Sequence, residues 1–208
     1  MIIYMCNNKN PYIICITNRL LCEENFLERI KKITDTDISY LILREKDLDE
    51  ESYFELAGSV IKICNDAGKK CILHNFYDVA ISLNHKNIHL PIPVLKEIDD
   101  KKLNFFDIKG ASAHSIKEAE LAIKKNCNYI TLSHIFKTDC KKGLKEKGIG
   151  LIKEVKEKMD ICIYGLGGIN EKNASDVIKA GADGICIMSG FMKCDDPKSY
   201  VEKIRSSI

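Results

Sequence analysis

Eight short apolar runs, each four or five residues long, recur along the 208-residue chain at 12–16, 39–43, 70–73, 87–90, 105–109, 129–132, 161–164 and 184–188. Most are rich in β-branched side chains and are apolar almost throughout rather than alternating with polar residues, which predicts strands buried on both faces. That is the signature of a parallel sheet with its faces covered by helices. The segments between fit that reading. Tyr53, Leu56, Val60, Ile61 and Cys64 fall at helical spacing before Gly68, and Ala119, Ala122 and Ile123 do so after Ser115. Eight strand–helix units predict a closed (β/α)8 barrel, an α/β TIM barrel forming one domain over residues 1–208. A doubly wound open sheet is the alternative. The barrel is favoured because no G-x-G-x-x-G fingerprint opens the chain and the glycine-rich turn comes at the seventh strand instead.

Charge narrows the partners. With 32 basic against 30 acidic residues the formal net charge is +2, and the lysines are dispersed. Nucleic acid and anionic membrane surfaces call for clustered cations, so neither is expected, and no apolar run is long enough to span a bilayer. The first residues lack the pattern of a signal peptide, which gives a cytoplasmic expectation. The ten cysteines sit singly, with no C-x-x-C pair. Cys15, Cys64, Cys71, Cys127, Cys162 and Cys186 read as reduced core residues and no zinc site is expected.

The strongest local signal is YGLGGI at 164–169, followed about twenty residues later by IMSG at 187–190. Glycines at strand ends let backbone N–H groups approach an anion, and a following helix, with Asn170 as the expected N-cap, adds its positive end. Together they read as a phosphate cradle. Arg44 and Lys46 in LILREKD follow the second strand, two apart, so both side chains can reach the barrel mouth and meet a second anion. The competing reading is a solvated basic pair balanced by Glu45 and Asp47. Lys141 and Lys142 lie in the long polar connection 137–148, which follows the sixth strand and reads equally as surface or as a flap over the mouth. Four histidines stand at strand ends: His74, His89, His114 and His134. Any of them facing the pocket could move a proton near neutral pH, although most such residues serve packing or capping.

Taken in order, the strings REKD, GASAHS, SHIFKTDCKKG, GLGGI and GADGICIMSG resemble the thiamine phosphate synthase and thiazole tautomerase superfamily of (β/α)8 barrels. The resemblance runs from about Ile14 to the C-terminus. In the synthase pattern two aspartates hold Mg²⁺ on a diphosphate, one after the third strand and one beyond the fourth. The matching positions here read Asn75 and Val94, with Asp78 nearby. Synthases also carry G-P before the sixth-strand aromatic segment, whereas this chain has Ser133 and His134, as in the tautomerase branch typified by TenI.

The resemblance therefore implies a thiazole tautomerase, an isomerase of thiamine biosynthesis that moves a proton on a carboxythiazole phosphate. It implies His134 as general acid/base; backbone amides of Gly167, Gly168, Ser189 and Gly190 on the phosphate; and Arg44 and Lys46 on the substrate carboxylate. Asn75, Ser112, Thr138 and Lys141 complete the expected substrate-binding set. No metal or cofactor is expected, the partner is the small-molecule substrate, and a homodimer is compatible with the fold. Two alternatives stand beside it: Mg²⁺-dependent coupling of hydroxymethylpyrimidine diphosphate to thiazole phosphate, for which Thr138 and Lys141 would contact the diphosphate, and a non-catalytic binder of thiazole phosphates.

Overall fold

In the computed structural model, which describes residues 10–138, 143 and 146–208, all eight strands form and every pairing is parallel. They are β1 (Tyr12–Ile16), β2 (Tyr40–Leu43), β3 (Lys70–His74), β4 (Asn87–Pro91), β5 (Ile108–Ala113), β6 (Tyr129–Ser133), β7 (Cys162–Leu166) and β8 (Gly184–Ile187). Neighbours in sequence pair in space, and β1 also pairs with β8 through Ile14 opposite Cys186, so the sheet closes on itself. The fold is a (β/α)8 TIM barrel. Its outer layer is built from α1 (Phe26–Thr34), α2 (Glu50–Asp66), α3 (Tyr77–Ser82), α4 (Ile92–Glu97), α5 (Asp100–Leu103), α6 (Ile116–Lys124), α7 (Gly150–Lys158), α8 (Ala174–Lys179), α9 (Ser189–Lys193) and α10 (Pro197–Arg205). None of these helices is long and apolar enough to cross a membrane.

Apolar side chains on both faces of each strand create two cores. The outer one lies between sheet and helices and takes Ile13, Leu41, Leu73 and Ile163 from the strands and Ile30, Val60, Ala119 and Val177 from the helices. The inner one fills the barrel with Ile14, Ile42, Ile72 and a group of tyrosines. The rings of Tyr12 and Tyr40 stack at 5.5 Å, and those of Tyr129 and Tyr164 meet at 5.1 Å. Two strand glycines make room for them. A Cβ at Gly110 would run into the Tyr129 ring, and one at Gly184 would press on Tyr12.

Four local expectations need correction. The fifth strand is not 105–109 but Ile108–Ala113: Phe105 and Phe106 pack edge to face in the preceding turn, and the smaller GASA segment enters the sheet. Ile123 in α6 is 38% exposed, while Ala119 and Ala122 carry the buried face. Asn170 does not cap a helix; α8 begins at Ala174 with Asn173 at its N-cap, and Asn170 opens the turn before it. Cys15, Cys64, Cys71 and Cys186 are buried thiols and Cys127 is half-buried, but Cys162 is disulfide-bonded, its partner lying outside the described residues.

Tyr53 ties α2 to the upper rim of the barrel. Its buried hydroxyl donates to the Leu43 carbonyl at 2.7 Å and accepts from the His74 N–H at 3.0 Å, so one oxygen serves the ends of both β2 and β3. Tyr53→Phe removes both partners and leaves a buried carbonyl and N–H unpaired, which should lower the unfolding free energy by about 1–3 kcal/mol. Urea denaturation measures it; an unchanged midpoint would mean that the two backbone groups find other partners.

Candidate active site at the barrel mouth

A cavity of about 170 Å³ opens at the C-terminal ends of the strands and is lined by Arg44, His134, Thr138, Gly167, Gly168 and Ser189 together with apolar groups such as Ile16 and Leu166. Six of the residues expected from sequence are thus brought together. Gly190 is the next residue in α9; Lys46 is exposed on the loop after β2; Asn75 follows β3 and Ser112 lies in β5, all outside that lining. Lys141 and Lys142 lie outside the described residues.

Backbone closeness dictates the glycine turn after β7. The Ile135 N–H donates to the Leu166 carbonyl at 2.9 Å and the Phe136 N–H to Gly167 at 3.0 Å, pulling the chain after β6 onto the turn. Gly167 and Gly168 have φ of 102° and 69°, and a Cβ at Gly168 would stand 2.5 Å from the Lys137 carbonyl oxygen. Only glycine combines that conformation with that contact. Asn173 Nδ2 donates to the Gly168 carbonyl at 2.9 Å and fixes the turn from below. Across the cavity, Ser189 and Gly190 open α9. The C-cap of that short helix is held by Arg29, a buried cation with no obvious mark in the sequence: its Nη1 donates to the Cys194 carbonyl at 2.6 Å, while its Nε faces Glu24 at 2.6 Å.

The cationic wall has a different internal logic from a solvated charge run. Glu45 is buried, with 1% of its surface exposed, and accepts from Thr17 Oγ1 at 2.6 Å and from the Arg19 N–H at 2.9 and 3.0 Å. The Thr17 hydroxyl oxygen in turn accepts the Arg44 N–H at 3.0 Å. Asp47 is engaged by the guanidinium of Arg19 at 2.7 and 2.9 Å, which holds its carboxyl below the usual range. Both acids between and beside the basic residues are therefore turned to Arg19. Among the described residues Arg44 and Lys46 enter no ion pair; Arg44 lines the cavity and Lys46 is exposed two residues further along the same loop.

The histidines divide by hydrogen bonding. His89 lies 3.0 Å through Nδ1 from the Tyr129 hydroxyl and 2.8 Å through Nε2 from Ser112 Oγ. Burial keeps the Tyr129 phenol protonated, and with a neutral imidazole one of these two contacts is donated by a ring N–H and the other is accepted by the bare ring nitrogen. Burial, helped by the charge of Arg44, pushes His89 down to about 3. His74 stacks on His89 at 5.7 Å and is also pushed down, by burial first and then by His89, Arg44 and Lys46. His74 Nδ1 is buried without a hydrogen-bond partner. His114 Nδ1 donates to the Ser133 carbonyl at 2.8 Å and bridges β5 to β6, while His134 is buried on the cavity wall.

A barrel with a glycine turn after β7, a short helix after β8 and unbalanced cations after β2 defines a phosphate-handling (β/α)8 enzyme. Residues 13–191 match the family described as thiamine monophosphate synthase, and the chain belongs to that family. It is 34% identical to the putative thiamine-phosphate synthase 2 of Aquifex aeolicus, over 88% of this chain and 98% of that one. Against the thiamine-phosphate synthase of Clostridium acetobutylicum it is 30% identical over 88% of each chain. Among solved structures, the thiamine phosphate pyrophosphorylase from Pyrococcus furiosus covers 94% of both chains with a TM-score of 0.80 at 25% identity.

These relatives overturn the tautomerase expectation. Their names are those of synthases, so both the isomerase assignment and the branch choice drawn from Ser133 and His134 are corrected to the transferase side of the superfamily. The proton-shuttle role expected of His134 and the carboxylate role expected of Arg44 and Lys46 belong to that reaction; the structure places His134 and Arg44 on the cavity wall without assigning either a role.

The Mg²⁺ that the synthase pattern implies does not fit the residues present. Asn75, at the tip of β3 with φ of 73°, offers an amide, and Val94 is in α4 packed on the core. Asp78 is exposed in α3 and paired with Lys102 at 2.7 Å. No cluster of three or more His, Cys, Asp or Glu able to hold a metal exists among the described residues.

Stability should report the depressed histidines. The unfolded chain takes up protons at His74, His85 and His89 as pH falls through about 6.5, whereas the folded chain resists, so stability is lost between there and about 3, where folded His89 titrates. Urea midpoints at pH 7 and 4.5 should therefore differ less in His89→Gln than in the wild type. An equal pH slope would show that His89 is protonated equally readily in both states.

Proposed function

We propose that this chain is a thiamine-phosphate synthase, a transferase that joins a hydroxymethylpyrimidine diphosphate to a thiazole phosphate with release of pyrophosphate. The observation that carries the reading is the pairing of two anion-binding features across one mouth in a chain whose relatives are named for this activity. The glycine turn and the start of α9 suit a monophosphate; Arg44 and Lys46 suit a second, more highly charged group.

The reaction asks little proton chemistry of the protein. The carbon–oxygen bond to the diphosphate breaks with both electrons leaving on pyrophosphate, and the thiazole nitrogen lone pair forms the new carbon–nitrogen bond. Negative charge grows on the departing oxygen. Cations aimed at that oxygen stabilise the transition state more than the ground state, by their attraction to the extra charge that develops there. Arg44 adds planar donors that match phosphoryl oxygens, and Lys46 a point charge. Anchoring the thiazole phosphate on the amides of Gly167, Gly168, Ser189 and Gly190 makes the attack effectively unimolecular. Ile16, Leu166 and Met188 give the cavity an apolar lining that limits competing attack by water. Thr138 stands on the same wall, and the Ser112 hydroxyl is held by His89 Nε2 at 2.8 Å.

Mixing the two precursors with the protein should release one pyrophosphate per thiamine phosphate formed. Gly168→Ala should raise KM for the thiazole phosphate at least tenfold, because its Cβ would displace Lys137, while leaving affinity for the diphosphate partner within about twofold. Binding of both precursors with no pyrophosphate released, under any metal condition, would refute the coupling reaction.

A further inference from the structure

We propose that the mouth meets the charge of a diphosphate with its own groups, the cations Arg44 and Lys46 and the neutral side chains of His74 and Asn75, and not with a divalent cation held on carboxylates. This inference rests on the coupling reading for the identity of the ligand, but its geometry stands independently.

The acidic side chains beside Arg44 and those that follow β3 and β5 are committed elsewhere. Glu45 is buried on Thr17 and Arg19, Asp47 is on the Arg19 guanidinium, Asp78 is turned out to Lys102, and Glu118 accepts from the His114 N–H at 2.6 Å. Releasing Glu45 to a metal would take its partner from Thr17, which holds the Arg44 N–H, and releasing Asp47 would strip the Arg19 guanidinium of its partner. At the tip of β3, where a carboxylate would have to stand, the chain carries His74 and Asn75. A hard dication wants oxygen ligands of negative charge, and an amide flanked by an imidazole and two cations is a poor host for it.

The same place is well made for an anion. β2 and β3 pair in register with Leu43 opposite Leu73, so Arg44 and Lys46 leave β2 beside the end of β3 that carries His74 and Asn75, and His74 lies on the inner side of the barrel against His89. Buried polar atoms are nearly always hydrogen-bonded in folded proteins, and His74 Nδ1, with only 7% of the residue exposed, has no hydrogen-bond partner among the described residues. A phosphoryl oxygen satisfies it when Nδ1 carries the ring hydrogen, and the Asn75 amide adds further N–H groups at the same strand end. The charge that a metal would bring is then supplied by fixed side chains whose counter-ions have been drawn off to Arg19.

Isothermal titration of the full chain with inorganic pyrophosphate, in EDTA and then in millimolar Mg²⁺, tests this. The expected result is binding in EDTA whose Kd changes less than threefold with Mg²⁺, or weakens because Mg²⁺ competes for the ligand. Absence of binding in EDTA, or a tightening of tenfold or more by Mg²⁺, overturns the proposal. Asn75→Asp, a residue that tolerates the same backbone conformation, should weaken binding in EDTA at least tenfold and recover it with Mg²⁺; equal binding in EDTA would contradict the proposed role of the amide. The two readings fail separately. Metal-free pyrophosphate binding by a protein that never couples the precursors would remove the coupling reaction alone, whereas coupling that strictly needs Mg²⁺ would remove this proposal alone.

Discussion

Closing eight short parallel strands into a barrel leaves an interior that side chains must fill, and in this chain that demand is met by four tyrosines and the glycines opposite them. Tyr129 projects over Gly110, and Tyr12 crosses Gly184, so bulk on one strand is accommodated by its absence on the next. The consequence reaches the mouth. Tyr129 holds one ring nitrogen of His89, Ser112 holds the other, and His74 stacks on the same imidazole. The floor of the site is thus an extension of the core, and its histidines are neutral because they are packed as core residues.

Strand existence was legible because burial on both faces removes polar residues from the run itself, as in YIICI of β1 and YLIL of β2. The fifth strand was not, for a physical reason. IKGASA contains small residues that suit close contact with Tyr129, whereas the more apolar LNFF just before it belongs to a turn whose rings pack on each other. Hydrophobicity marks what is buried; it does not say which buried segment is extended. The glycine turn was legible for the opposite reason, since two adjacent glycines at a strand end report a backbone contact that no side chain could share.

What could not be read from local sequence is who neutralises whom. REKD alternates in sign, and adjacent opposite charges suggest self-compensation. In the fold, Arg19, distant in sequence, takes both acids, and Arg29 secures α9 from the far side of the chain. Such pairings depend on tertiary placement, so neither arginine carried a signal. The choice between tautomerase and synthase failed in a related way. Missing metal carboxylates and a histidine near the sixth strand point locally to a different reaction, whereas the likeness of the chain as a whole is to synthases.

That distinction bears on how a site of this kind can change without changing its reaction. A dication bridging carboxylates and a pair of fixed cations both present positive charge to a leaving diphosphate, but they differ in their demands on the scaffold. The first requires acids that are free at the strand tips and would repel the substrate whenever the metal is absent. The second requires that nearby acids be withdrawn, which a single arginine accomplishes here by engaging Glu45 and Asp47 together. Once those acids are withdrawn, a carboxylate at residue 75 would pair with the cations beside it, cancel their charge and repel the diphosphate. The amide at that position, the buried imidazole before it and the ion pairs of Arg19 are therefore parts of one electrostatic arrangement, in which altering any one alone would leave the others mismatched.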